Sequence, residues 1–155
     1  MDGFKNLHYN LYWHDETILV VEVRDQWTWD DVTLWTQALK RMIRSVEHPV
    51  YVVIHFMNDA AAVMPRSTSV FSNLKYMMLS AALPQERMVV MVNPNKLMRG
   101  FMSILARAYD LQRVFDKYTF TATFDEALVR IQHAKAHEGI QLDEEVTLVL
   151  MRNFR

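Results

Sequence analysis

The sequence predicts an α/β domain: a mixed, largely parallel β-sheet with an N-terminal antiparallel hairpin and about four α-helices. Three observations predict it. Residues 50–56, Val-Tyr-Val-Val-Ile-His-Phe, form a near-continuous apolar run rich in β-branched and aromatic side chains, as in a strand covered on both faces. Two β-prone segments, 7–13 and 17–23, stand either side of the turn His14-Asp15-Glu16. After them, helix-like and strand-like segments alternate three times, which calls for parallel strands joined by right-handed crossovers.

In chain order, the second hairpin segment, Thr17 to Val23, is apolar on both faces and belongs inside the sheet, whereas His8, Asn10 and Tyr12 suit an edge. Thr28 is placed to cap the first helix, with Asp30 and Asp31 where the helix dipole favours negative charge. That helix carries Val32, Trp35, Leu39, Met42, Ile43 and Val46 as one stripe, and Pro49 ends it. Trp27 and Trp29 flank Thr28, so both are buried only if the chain there is not yet helical. Past the central strand comes a loop, 58–66, then Ser67-Thr68-Ser69 at the start of a second helix with Val70, Phe71, Leu74, Met77, Met78 and Ala81 inward. A strand at 88–92 follows Pro84, then a third helix with Leu97, Met98, Phe101, Ile104, Leu105 and Ala108 inward. Gly100 inside that helix suggests close packing against a neighbour, because glycine there costs about 1 kcal/mol relative to alanine. A short strand at 118–122 leads to a fourth helix opened by a Thr123/Glu126 capping box and ended by Gly139. The tail, 140–155, holds Asp143-Glu144-Glu145 and the apolar run 146–151, which reads as an extra edge strand or a contact with a second copy.

Composition removes several function classes. At 155 residues the chain is about one domain long, with 51% apolar and 23% charged residues, which argues against disorder. A net charge of −1 gives no broad attraction to nucleic acid or acidic membranes. The absence of cysteine removes disulfides and thiolate chemistry. The start, Met1-Asp2-Gly3-Phe4-Lys5, is unlike a secretory leader, and no run of about 18 apolar residues occurs. The expectation is a soluble cytoplasmic protein without nucleic-acid partner or membrane insertion.

Candidate chemistry is sparse. His133 and His137 lie four apart on the last helix, but Ala134 stands where a zinc hydrolase needs glutamate, and the histidines read better as charges near a helix C-terminus. His55 and Asp59 flank the loop after the central strand without a nucleophile beside them. Three scattered glycines make no phosphate loop. The methionines are less ordinary: Met57, Met64, Met77, Met78, Met88, Met91, Met98 and Met102 concentrate after the central strand. They read as core packing or as an adaptable apolar cleft.

The element order, together with Ile18 to Val23, the Trp27-Thr28-Trp29 helix entry, Val50 to Phe56 and the last helix start Thr123-Phe124-Asp125-Glu126-Ala127-Leu128, resembles the STAS superfamily, the fold of bacterial anti-sigma-factor antagonists. The resemblance covers about 7–137. It implies a non-enzymatic regulatory or interaction module without cofactor or metal, in which the loop after the central strand and the helix behind it face a protein partner. The family's phosphorylatable members carry an Asp-Ser-Ser/Thr-Gly type sequence directly after the central strand. Here that place reads His55-Phe56-Met57-Asn58-Asp59-Ala60, and the first hydroxyls are Ser67, Thr68 and Ser69, each of which serves equally as a helix cap. A phosphate there would meet free amides and Arg66. The expected partner surface is Asn58, Asp59, Met64, Arg66, Phe71, Met77 and Met78, with self-association through the tail. The alternative reading is a carrier or sensor of a lipid-like ligand held in the Met-rich cleft.

Overall fold

The computed structural model describes residues 3–5, 8–57, 60–61, 64–65, 69–80 and 83–153, with side chains described for those between 8 and 138. In chain order the elements are β1 (Gly3–Lys5), β2 (Tyr9–Trp13), β3 (Ile18–Val23), α1 (Trp29–Arg44), β4 (Val50–Phe56), α2 (Val70–Leu79), β5 (Glu86–Val92), α3 (Lys96–Ala108), α4 (Gln112–Phe115), β6 (Tyr118–Thr121) and α5 (Phe124–Asn153). One sheet runs β1-β2-β3-β4-β5-β6. The first three strands pair antiparallel, β1 contributing only three residues, and the rest pair parallel.

Sequential parallel order has a geometric consequence. Each right-handed crossover steps the same way across the sheet, so α1, α2 and α3 must share one face. The core divides accordingly. Val52, Ile54 and Phe56 of β4 pack into a layer with Trp35, Leu39, Leu74, Met78, Met98 and Met102 from those three helices. Tyr51 and Val53, pointing the other way, pack with Ile18, Val20 and Val90 beneath Ala127 and Ile131 of α5. The central strand is therefore buried between two helical layers, as its composition requires.

The first helix begins as the sequence indicates. Thr28 caps it in extended conformation, with Asp31 closing the reciprocal capping box. Trp27 precedes the cap, whereas Trp29 is already the first helical residue, so both rings are buried although only Trp27 lies outside the helix, contrary to the expectation for Trp29. At α5 the cap differs by one residue: Thr123 Oγ1 accepts from Glu126 N at 3.2 Å, while the Glu126 carboxylate reaches back to the Ala122 N–H.

Four expectations are corrected. The tail forms no edge strand: residues 140–153 continue α5 in helical conformation straight through Gly139. Glutamine, leucine and glutamate dominate 141–145, and their helix preference outweighs one internal glycine. His133 and His137 consequently lie mid-helix, away from any C-terminal dipole, and both are exposed. Gly100 is exposed as well, with nothing within 4 Å of where a Cβ would stand, so close packing is not its reason. Among the described residues there are five helices, because the short α4 follows Asp110, which turns the chain in the left-handed region at φ 55°.

Candidate functional site

The exit of the central strand is built from the helix entrance beside it. The Met57 N–H donates to the Val23 carbonyl at 2.9 Å, carrying the parallel ladder one residue past β4. The loop beyond is held by the two tryptophans that flank Thr28. Trp27 Nε1 donates to the Ala60 carbonyl at 3.1 Å, and Trp29 Nε1 donates to the Pro65 carbonyl at 2.9 Å. The two rings meet edge to face, centroids 5.4 Å apart, and Trp27 also packs on Phe56 at 5.6 Å. Buried indole N–H groups need acceptors, and loop carbonyls need donors, so one set of bonds satisfies both.

The same helix entrance ties down β2. The Asp31 carboxylate, 6% exposed, accepts the Thr28 N–H at 2.8 Å and hydroxyl at 3.1 Å, and its Oδ2 lies 2.7 Å from His8 Nδ1. Nothing in the spacing of His8 and Asp31, 23 residues apart, announces that contact.

Of the residues expected at a partner or regulatory surface, Ser69 takes the N-cap position of α2 and is exposed, but its side chain makes no capping bond. Met64 is half-buried and Phe71 is 46% exposed. Met77 and Met78, at 2% and 0% exposure, are core residues and form no surface. Asn58, Asp59, Arg66, Ser67 and Thr68 lie outside the described residues. His55 points to the opposite face of the sheet from α2, and its ring stacks on Phe124 with centroids 5.5 Å apart and planes at 22°. It lies in register with Glu22, which in turn pairs with Asn10, a polar row across three strands. Burial lowers the His55 pKa and the Glu22 carboxylate opposes that shift. Among the described residues no group of three or more His, Asp and Glu side chains is placed to hold a metal ion. No described helix is long and apolar enough to cross a membrane.

The most conspicuous surface feature lies on the outside of α2 and α3. Leu97 and Ile104 are 56% and 55% exposed, and with Phe101 they follow i, i+4, i+7 spacing on one side of α3. Phe71 of α2 meets Phe101 edge to face, centroids 5.3 Å apart, which joins the two helices into one apolar surface. Its border is basic and aromatic: Lys75 Nζ sits 3.9 Å from the centre of the Tyr109 ring. Sequence periodicity assigned Leu97, Phe101 and Ile104 to the core; Phe101 is half-buried and packs against it, whereas Leu97 and Ile104 are exposed. The apolar arc of α3 is wider than the sheet can cover, and Met98, Met102 and Leu105 take the inner half.

No protein-family model, curated protein or solved structure matches this chain.

Proposed function

We propose that this chain is a non-enzymatic, STAS-like protein-interaction domain that associates with a second copy of itself through the outer surface of α2 and α3. The observation that carries the reading is the continuous apolar surface of Phe71, Leu97, Phe101 and Ile104, which a solitary domain would leave in water at a cost. Trp27 and Trp29 donate to the Ala60 and Pro65 carbonyls, a few residues ahead of that surface in the chain. The order hairpin, then helix and parallel strand in sequence, supports the STAS resemblance at the level of architecture, an associational argument for function. The carrier reading draws less support, because Met77, Met78, Met91, Met98 and Met102 are each at most 2% exposed and packed into the core.

Sedimentation across a concentration series tests the proposal. The wild-type chain is expected to gain mass with concentration, and Phe71→Asp or Ile104→Asp is expected to weaken association about tenfold or more, since each places a charge where roughly 1.5 to 3 kcal/mol of apolar burial is lost. Deletion of 146–155 serves as the comparison. If the wild type stays monomeric, or only the tail deletion lowers the mass, the proposed face is wrong.

A further inference from the structure

We propose that the open edge of β6 takes an extended acidic segment of a partner protein as an additional strand, with Arg99 and Arg130 each holding one of two consecutive acidic side chains. This site lies away from the α2–α3 surface and does not depend on it.

The strand edge supplies the backbone part. Among the described residues β6 is the last strand of the sheet and pairs with β5 alone. The Lys117 carbonyl accepts from Val89 of β5 and the Thr121 carbonyl from Asn93 just past it. In a parallel ladder alternate residues bond to one neighbour, so the Lys117 carbonyl and the main-chain groups of 119 and 121 serve β5, the Lys117 N–H donates to the Val114 carbonyl, and the groups of Tyr118 and Phe120 are directed outward. Unpaired donors and acceptors in a row are what an added strand needs.

The charges supply the choice of partner. A polar cleft of about 320 Å³ lies along this edge, lined by Arg99, Phe115, Asp116, Thr119, Phe120 and Arg130. Arg99 comes from α3 on one face of the sheet and Arg130 from α5 on the other. The Arg99 guanidinium is held 5.1 Å over the Phe120 ring. Neither arginine has a carboxylate partner among the described residues. Asp116, the one acid among the described residues of the cleft lining, has its Oδ1 occupied by Gln112 Nε2 at 2.8 Å. Side chains of a strand alternate between the two faces, so neighbouring residues of an added strand would point one toward Arg99 and the next toward Arg130. Two adjacent Asp or Glu residues match that arrangement through charge-assisted bonds.

The experiment uses the full chain and fluorescence anisotropy of two labelled hexapeptides, each valine- and threonine-flanked, one carrying a central Glu-Asp pair and the other Gln-Asn. The acidic peptide is expected to bind, to lose affinity with added salt, and to weaken about tenfold with Arg99→Gln and again with Arg130→Gln. The neutral peptide is expected to bind at least about tenfold more weakly. Phe120→Pro, which removes an outward N–H on an edge strand, is expected to abolish binding. An acidic peptide N-methylated at alternate residues repeats that test without altering the protein and is expected not to bind. Equal binding of the two parent peptides, no effect of either arginine substitution, or full binding of the N-methylated peptide overturns the proposal. The last result would mark an anion site without strand addition.

Discussion

The Tyr51 hydroxyl donates to Glu138 Oε2 at 2.8 Å, joining residues 87 positions apart and fastening α5 to the central strand. Lys135 of the same helix turn reaches Thr17 at the start of β3 and lies over the Tyr51 ring. These contacts seat a single helix on a sheet face that α1, α2 and α3 do not cover. Burial, and then Glu138, raise the Tyr51 pKa well above that of a free tyrosine. Tyr51→Phe is expected to destabilise the fold by about 1 kcal/mol, as Glu138 can recover water. Urea unfolding measures it, and an unchanged midpoint would mean the bond does not form.

The tryptophan pair makes a separate prediction. Trp27→Phe and Trp29→Phe keep an aromatic ring but remove the donors to Ala60 and Pro65. Each is expected to cost about 1 to 3 kcal/mol, because a carbonyl loses its partner and a large ring is replaced by a smaller one. Amide exchange in the loop after β4 should accelerate more than exchange in β4 itself.

Glu86 gives the stability a pH dependence. Its side chain is buried, and burial pushes its pKa up to about 7, with Lys117 and Lys40 opposing. The folded state therefore binds the proton more tightly than the unfolded chain, whose carboxyl titrates near its ordinary value of 4.5. The contribution of the neutral carboxyl is fully present below about pH 4.5 and is lost as pH rises to about 7. On the order of 3 kcal/mol is at stake over that interval. Glu86→Gln is expected to flatten this part of the profile and to leave the protein more stable than wild type at pH 8. A wild-type stability that does not fall between those pH values would contradict it.

Gly100→Ala is expected to stabilise the chain by about 0.5 to 1 kcal/mol, since α3 is helical there and a methyl group meets open space. A thermal melt decides the sign.

Much of the architecture was legible in the sequence because burial and periodicity act locally. The run from Val50 to Phe56 has the composition of a doubly covered strand, and Thr28 with Asp31 states where α1 starts. What could not be read depends on contacts between distant residues. The spacing of α3 marks Leu97 and Ile104 as apolar but cannot say how wide a stripe the sheet will cover. The β-branched residues of 146–151 read as strand, yet the helix already running from Phe124 continues through them, since extending a helix costs far less than starting another element. The arginine pair at the β6 edge is invisible in sequence because Arg99 and Arg130 reach it from opposite faces.

Hydrogen–deuterium exchange on concentrated against dilute protein tests the central claim most directly. Association through the proposed face predicts added protection in peptides spanning α2 and α3, with the β6 edge and residues 139–153 unchanged. Protection confined to 139–153, or none at any concentration, would contradict it.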